Sequence, residues 1–456
     1  MMPQLDRRTL LSGFALQGAG WMAKSRLYAQ PWQVSGLTSS WADEVSPRDR
    51  KALIDYFAAN ARKLLREPGG VLRFPSVSPS LPRATYSTSL WDWDTLWTVR
   101  GLFRIANLTQ DTQLHADVAA HARGCIANFF EHQSDEGRIP MLISLDDPDP
   151  LGCLKGQRPH KENQAKPVLA QLALLIADET HDASWFSPYL EKLQRFYSSW
   201  TADNLSQTGL LVWGDDVAIG NDNDPTTFGR PFFSSANLLL NCLYYQDLLS
   251  AAELTGRLGR SDEKNTFHTQ AQSLGNAIQK NCWDRRDGFF YTADVQCVDR
   301  RRELIPNIPR GMDMSWRSIP LRIQTFTGFL PMWCKLTSPE QNKHLLRHLN
   351  NPETFAGRYG IRSLSAQEPM YSLVASTNPS NWLGPIWVIV NYFIWSGLKK
   401  NGYAREARFL AARTAKMLAA DLASSGSLNE YYHPDTGKPL SHKGFMDWNL
   451  LVLEMI

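Results

Sequence analysis

Clustered tryptophan, acidic and amide residues occupy six short segments of this 456-residue chain. The densest, 213–231, holds four aspartates, and the last, 429–434, holds Glu430 directly before two tyrosines. Two carboxyl groups on opposite faces of an anomeric carbon can cleave a glycosidic bond. One protonates the leaving oxygen while the other activates water or attacks directly. Because the flat apolar faces of tryptophan suit the C–H faces of sugar rings, these segments indicate sugar-cleaving chemistry.

The composition of the 213–231 segment does not identify which aspartate would work with Glu430. Asp215, Asp216, Asp222 and Asp224 are all candidates. An aspartate beside glycine or before proline often caps a turn instead of reacting. Glu430 has the corresponding structural alternative, a solvated loop acid. Residue types alone therefore predict a pair of acids and leave one member of the pair open.

Twelve predicted helices must position these segments. The even-numbered helices are apolar around most of their circumference and the odd-numbered ones keep one polar face, so the first kind must be covered on every side. Strict alternation predicts an all-α fold, an (α/α)6 toroid barrel of six helical hairpins, with one minor β-hairpin near 288–294. The predicted helices are 50–66, 93–107, 112–132, 165–178, 184–200, 232–255, 261–281, 320–334, 338–349, 384–401, 403–424 and 445–456.

An open solenoid of helical pairs would also alternate, but the chain has no sequence similarity between repeats. The six segments each precede an even-numbered helix. Helix N-termini present free N–H groups and partial positive charge, which suits them to hold carboxylates and sugar hydroxyls. A closed barrel would gather all six segments around one cavity. They are 90–95, 163–167, 213–231, 310–316, 381–387 and 429–434.

Five of these segments match family motifs. The segment 220–225 matches Gly-x-Asp-Asn-Ser-Pro, and 430–437 matches Glu-Tyr/Asn-Tyr-x-Pro-x-Thr-Gly. Trp-x-x-Asp, Gln-x-x-Pro and Tyr-Trp-Arg-Gly-Pro-x-Trp are matched around 91–94, 164–167 and 381–387. On these motifs the chain resembles the trehalase-like inverting α-glycosidases of glycoside hydrolase families 37 and 63, which include mannosylglycerate and glucosylglycerate hydrolases.

The resemblance implies that Asp222 is the general acid and Glu430 the general base. It also implies a substrate-binding set around them: Trp91, Trp93, Asp94, Gln164, Lys166, Asp216, Asn223, Arg230, Asn381, Trp382, Gly384, Trp387 and Tyr431. Lys166 would meet an anionic substrate group or lie on the surface. Arg230 would pair with Asp222 or Asp224, or hold a sugar hydroxyl.

The chain departs from the family pattern at two places. Asn381 and Leu383 stand where the family has tyrosine and arginine, and 218–219 (Ala-Ile) replaces Glu-Ser. These changes leave the sugar and the aglycone open. The resulting hypothesis is an exo-acting inverting α-glycosidase that releases a terminal α-linked glucosyl unit from a small oligosaccharide or glucoside.

Three other functions fit an α-helical barrel. A polysaccharide lyase or sugar epimerase would need histidine, tyrosine or arginine where this chain has acids and amides, and only 10 histidines occur. A non-catalytic carbohydrate-binding barrel would keep the tryptophans without needing the acids. A terpene cyclase would surround its acid pair with aromatic residues, which 215–216 lack. We expect no metal and no cofactor, and a small carbohydrate as the partner.

The N-terminus has the pattern of an export signal. Residues 6–12 (Asp-Arg-Arg-Thr-Leu-Leu-Ser) carry twin arginines before a moderately apolar stretch. We therefore expect 1–30 to be a twin-arginine signal and 31–456 a single catalytic domain, periplasmic or secreted, without membrane insertion after signal removal. The net charge of +3 is too small to indicate nucleic acid as a partner. Cys282 and Cys297 could form a disulfide, although we expect reduced, buried thiols.

Overall fold

A computed structural model describes residues 44–152, 154, 163–297, 316–376 and 378–456. The predicted signal at 1–30 and most of the 310–316 segment lie outside these residues. Within them the chain is rich in helix, and the helices are α1 Pro47–Asn60, α2 Asp92–Thr109, α3 Thr112–Glu131, α4 Leu169–Thr180, α5 Leu190–Asn204, α6 Leu238–Arg257, α7 Ser261–Cys282, α8 Leu330–Trp333, α9 Pro339–Asn350, α10 Val388–Lys400, α11 Ala404–Ser425 and α12 Val452–Met455.

Four 3-10 turns accompany these helices. Two of them, Phe326–Phe329 and Trp448–Leu451, lead directly into α8 and α12. The other two are Ala61–Leu64 and Ser184–Tyr189. Each short helix therefore continues a 3-10 turn, and together they cover the predicted eighth and twelfth helices.

The even-numbered helices contact one another in a closed cycle. Contacts run from α2 to α4, α6, α8 and α10, then to α12 with its 3-10 turn, and back to α2. Every residue of α10 from Val388 to Leu398 is buried, as expected of a helix that is apolar on all sides. Helix α7, in contrast, buries seven of its 22 residues.

Helix pairs α2–α3, α6–α7 and α10–α11 pack as hairpins. Inner helices enclosed by amphipathic ones agree with an α/α toroid. The full count of six hairpins stays a prediction. No helix in the described ranges is both long and apolar enough to cross a bilayer. Cys125, Cys242, Cys282 and Cys334 are buried free thiols, and Cys297 is a partly exposed one.

Short strands are more numerous than predicted. In the part of the chain that the structure describes, they form five small antiparallel sheets, joined as β1–β2, β3–β4, β5–β8–β9, β6–β7 and β10–β11–β12. The strands are β1 Leu65–Arg66, β2 Ser76–Val77, β3 Ser89–Trp91, β4 Leu142–Ser144, β5 Ser235–Ala236, β6 Trp283–Asp284, β7 Phe289–Phe290, β8 Ala293–Asp294, β9 Ile319–Pro320, β10 Ile386–Trp387, β11 Tyr431–Tyr432 and β12 Pro439–Ser441.

The prediction of a single β-hairpin near 288–294 is correct that strands occur there and wrong about how they pair. Its two strands, β7 and β8, do not pair with each other, since β7 pairs with β6 and β8 with β5 and β9. Strands also displace the predicted starts of three inner helices. Strand β5 precedes α6, β9 precedes the turn into α8, and β10 precedes α10. The residues of β5, β9 and β10 pair with another strand before the following helix or turn begins.

Candidate active site

Two of the four aspartates in the segment before α6 hold loop backbone. Asp215 accepts hydrogen bonds from the Asn163 side chain at 2.6 Å and from the Val217 amide at 2.9 Å. Asp216 accepts one from the Gly229 amide at 2.8 Å. These bonds tie distant parts of the loop together, which is the turn-capping alternative for such residues. The contact that the structure gives Asp216 therefore stabilises the loop.

Asp224 is also a structural acid. It is 2% exposed and accepts from the Asn221 side chain at 2.6 Å and the Asn237 side chain at 3.3 Å. Its other oxygen accepts from the amide and the hydroxyl of Thr226 at 2.8 and 2.7 Å. Four donors therefore occupy this carboxylate and fix the turn that follows Asp222.

Asp222 is the least constrained acid of this loop. It remains partly exposed, and the Asn378 side chain donates to it over a long 3.5 Å. Burial of the carboxyl raises its pKa, while hydrogen bonds from Asn378 and Ser380 and the charge of Lys166 oppose the rise. A carboxyl with a raised pKa keeps its proton at higher pH, as a general acid requires.

Glu430 is held at the start of β11. The Glu430 amide donates to the Ser441 carbonyl at 3.0 Å, and the Trp448 indole donates to the Glu430 carbonyl at 3.3 Å. Glu430 is 2% exposed, and its carboxyl hydrogen-bonds to His442 and Tyr86. Burial raises the pKa of Glu430, the bond and charge of His442 lower it, and Asp222 raises it again.

The Tyr86 hydroxyl connects the two candidate acids. Burial raises its pKa, and the charges of Glu430, Asp222 and Asp94 raise it further, in that order. Geometry supports the same grouping: Asn223, next to Asp222, accepts from the Trp382 amide at 2.7 Å, and Trp387 of that loop pairs with Tyr431, next to Glu430. The sixth and twelfth loops, 208 positions apart at Asp222 and Glu430, therefore converge on one site.

Asp94 lies beside another buried acid, Asp447. Burial, and then the charge of Asp92, raise the pKa of Asp94 to about 7, while the charge of Lys166 lowers it. Asp447 is fully buried, hydrogen-bonds to Asp94, and accepts from the Thr98 hydroxyl at 3.0 Å. Burial and Asp94 hold the pKa of Asp447 well above its ordinary value. Two adjacent carboxyl groups cannot both ionise at low cost, so the pair shares a proton.

The expectation that Lys166 lies on the surface is wrong. Its ammonium is 3% exposed and lies 3.0 Å from one oxygen of Asp92 and 3.1 Å from the other. It also donates to the Ala218 carbonyl at 2.9 Å and lies 5.6 Å from the centre of the Trp93 ring. Lys166 is therefore a buried ion-pair partner of Asp92, and its contact with an anionic substrate group stays a prediction.

The expectation that Arg230 pairs with Asp222 or Asp224 is wrong. Arg230 forms its ion pair with Asp294. The reason is the pairing of β5 with β8, which brings Asp294 opposite Ser235, close to the end of the Arg230 loop. Sequence proximity favoured the aspartates of the same loop, whereas the sheet supplies one from 64 positions away.

Four predicted sugar-binding residues form the framework between two loops. Trp382 and Trp387 stack with their ring centres 3.9 Å apart and lie at most 2% exposed. Asn223 accepts from the Trp382 amide at 2.7 Å and donates to Asn381 at 3.2 Å. The Asn381 carbonyl accepts from the Trp387 indole at 2.9 Å. These contacts lock the tenth-helix loop onto the loop that carries Asp222.

Two other predicted aromatic residues differ in exposure. Trp91 is partly exposed and lies edge-on to Tyr86, with ring centres 5.6 Å apart. Trp93 is 2% exposed and packs against Trp448 at 5.7 Å. Trp91 therefore keeps part of its surface accessible beside Tyr86, whereas Trp93 is packed inside the protein against Trp448.

The remaining predicted residues are buried or structural. Gln164 is fully buried and accepts from the Ser199 hydroxyl at 3.0 Å. The Tyr431 hydroxyl donates to the Pro379 carbonyl at 2.6 Å. Gly384 has a φ of +136°, a conformation that side chains rarely adopt. The sugar-binding role of all thirteen predicted residues stays a prediction.

Sequence reasoning missed Tyr86, Asn378, Ser380, His442 and Asp447. Only His442 had a usable signal. Pro-x-Thr-Gly at 434–437 is a turn sequence, and a hairpin closed there brings the residues after it back toward Glu430. The observed register pairs Tyr431 with Ser441, so His442 falls opposite Glu430. The other four residues reach the site through long-range packing that no local pattern records.

Comparison with known proteins assigns the chain to a family. The family "Mannosylglycerate hydrolase MGH1-like glycoside hydrolase domain" matches residues 88–446. The chain belongs to this family. The resemblance inferred from its motifs is thereby confirmed.

Individual relatives of this MGH1-like chain cover it in part. "Mannosylglycerate hydrolase MGH1" of Selaginella moellendorffii is 33% identical over 45% of the chain and 36% of the relative. A "Probable mannosyl-oligosaccharide glucosidase" of Schizosaccharomyces pombe is 28% identical over 73% of the chain and 39% of the relative. The aligned part is thus little more than a third of each relative's length.

A solved structure extends the likeness of this MGH1-like chain to its fold. The GH63 mannosylglycerate hydrolase of Thermus thermophilus, in complex with glucose, superposes with a TM-score of 0.61 at 16% identity. The match covers 89% of this chain and 99% of that one. This likeness supports an α/α toroid and carries no information on the substrate.

Proposed function

We propose that this MGH1-like glycoside hydrolase is an exo-acting, inverting α-glycosidase that releases a terminal α-linked glucosyl unit from a small oligosaccharide or glucoside. One observation carries the proposal. Two acids in unequal surroundings, Asp222 and Glu430, lie on loops that are held together by the Trp382–Asn223 hydrogen bond and by the pairing of Trp387 with Tyr431. Paired acids whose surroundings push their ionisation apart divide into a proton donor and a proton acceptor.

Asp222 is the general acid in this mechanism. Its proton passes to the glycosidic oxygen as the bond to the anomeric carbon breaks, and the leaving group departs as a neutral alcohol. Glu430 is the general base. It takes a proton from a water molecule as the water oxygen bonds to the anomeric carbon from the opposite face, which inverts the configuration. Exchange with solvent then returns a proton to Asp222 and removes one from Glu430.

The names of relatives support the class of reaction. They describe hydrolysis of mannosylglycerate and, for one, a glucosidase acting on a mannosyl-oligosaccharide. The departures at Asn381 and Leu383 favour a substrate different from those of the family pattern. We extend the proposal to a toroid of six hairpins and to twin-arginine export into the periplasm or medium, where such a protein would meet extracellular glycosides.

A panel of α-linked disaccharides and glucosylglycerates tests the function. Proton NMR during the first turnovers should show β-glucose before mutarotation, because inversion of an α-linkage gives the β-anomer. Glu430→Gln should lower kcat by about 10²–10⁴-fold. Early α-glucose, an unsaturated product absorbing in the ultraviolet, or near wild-type activity of Glu430→Gln would each contradict the proposal.

A further inference from the structure

The hairpin β11–β12 places an imidazole directly on the proposed base. His442 follows β12, Glu430 precedes β11, and the pairing of Tyr431 with Ser441 brings the two side chains together. Nδ1 of His442 lies within hydrogen-bonding distance of Oε2 of Glu430. The side chains of His442 and Glu430 are 18% and 3% exposed. This contact is a largely desolvated acid–imidazole pair, in which electrostatic interaction is stronger than at the surface.

The backbone at His442 is held in an uncommon conformation. Its φ is +45°, in the left-handed region that non-glycine residues rarely occupy. The ring packs edge-on against Tyr86, with centres 5.4 Å apart. Strained positions persist only where the surrounding structure fixes them, and they concentrate at functional sites. Both the strain and the packing fix the imidazole against Glu430.

The groups that face this pair are mostly acidic. Tyr86 contacts both partners, while Asp222 and Asp447 each interact electrostatically with Glu430. Left alone, Glu430 in this environment would favour its protonated form, because burial and nearby carboxylates both disfavour a further negative charge. His442 opposes this effect on Glu430, and Glu430 in turn raises the pKa of His442, first through their hydrogen bond.

We propose that His442 is the positioning residue of the base. Its Nδ1–H donates to Oε2 of Glu430, which keeps the carboxyl ionised and leaves the other oxygen to accept the proton of the attacking water. This inference rests on the proposed function, since it assigns His442 a role through Glu430.

Three variants test this role. His442→Leu removes both ring nitrogens and leaves no donor for Glu430, and His442→Gln restores an amide donor. His433→Asn is the matched control, because Nδ1 of His433 accepts only the amides of Asp435 and Thr436 in the hairpin turn. An asparagine oxygen can accept the same amides. We expect His442→Leu to lower kcat/KM by about 10- to 100-fold, His442→Gln by less, and His433→Asn by less than about twofold.

The pH profile separates positioning from general stability. The acidic limb of kcat/KM reports ionisation of the base in the free enzyme. Without a donor at position 442 the pKa of Glu430 should rise, so the acidic limb of His442→Leu should move to higher pH. The control His433→Asn should keep the wild-type limb. A merely structural loss would lower the whole profile without moving the limb.

A second measurement does not depend on activity. NMR titration of ring-labelled histidine follows the His442 resonance, assigned by its absence in His442→Gln. In Glu430→Gln the pKa of His442 should fall below its wild-type value because the carboxylate partner is gone. An unmoved acidic limb in His442→Leu, or an unmoved His442 titration in Glu430→Gln, would overturn the role of His442. An active Glu430→Gln would instead refute the proposed function.

Discussion

Asp222 and Asp224 offer a matched pair of substitutions, because change to asparagine removes the same acid two positions apart. Asp222→Asn should cost less stability than Asp224→Asn, since Asp222 is partly exposed and the hydrogen bond from Asn378 to its carboxyl is a long 3.5 Å. It should lower kcat/KM by about 10²–10⁴-fold, because asparagine cannot protonate a leaving oxygen. That loss corresponds to about 3–5 kcal/mol of transition-state stabilisation.

Asp224→Asn should have the opposite effect. Its carboxylate accepts from four donors on Asn221, Asn237 and Thr226, all between 2.6 and 3.3 Å. An amide has one accepting oxygen, so its NH2 group would face donors on the other side. Each buried donor left without an acceptor costs about 1–3 kcal/mol. Two such losses predict about 2–6 kcal/mol lower stability.

Both variants can be compared in two assays. Hydrolysis of the best α-glucoside gives kcat/KM well below the melting temperature, and urea unfolding gives the free energy of unfolding. We expect Asp222→Asn to be altered mainly in the first assay and Asp224→Asn mainly in the second. If Asp222→Asn kept more than about a tenth of wild-type activity, or if the two variants exchanged phenotypes, the assignment of the loop would be wrong.

Two further predictions concern stability. Burial raises the pKa of Asp247, which accepts from the Tyr197 hydroxyl at 2.7 Å, to about 7. Folding therefore takes up a proton, and stability should fall as the pH rises from about 4 to 7; Asp247→Asn should remove on the order of 4 kcal/mol of this fall in urea titrations. Gly384→Ala would put a Cβ 2.3 Å from the Tyr371 ring at a φ of +136°, whereas Gly402→Ala at +87° has no atom within 4 Å. Thermal melting should therefore give a larger loss for Gly384→Ala, and equal losses would contradict the clash.

The helices were predictable because their environments are uniform along their length. An inner helix such as α10 is buried from Val388 to Leu398, and its sequence is apolar on every face. The starting points were less predictable. Ile386 pairs with Tyr432 and Trp387 with Tyr431, and this pairing depends on a segment more than 40 positions away. The apolar periodicity of the sequence extends through such residues, so it cannot detect where the strand ends and the helix begins.

The site divides in the same way. Acid-rich segments were visible as composition, and a motif pointed to Asp222 over its neighbours. The partners of charged residues were not visible, because folding supplies them from distant segments. Lys166 pairs with Asp92 and Arg230 with Asp294, at separations of 74 and 64 positions. Local sequence favoured partners for Arg230 that the fold does not bring to it.

The surroundings of the acids explain how one cavity provides both a donor and an acceptor. Asp94, Asp222, Glu430 and Asp447 all have raised pKa values, and burial is the largest cause for each. Burial alone would therefore tend to make all of them proton donors. An imidazole in direct contact with Glu430 changes this balance by favouring its charged form. The division into acid and base thus depends on where the β11–β12 hairpin places its histidine, as much as on the acids themselves.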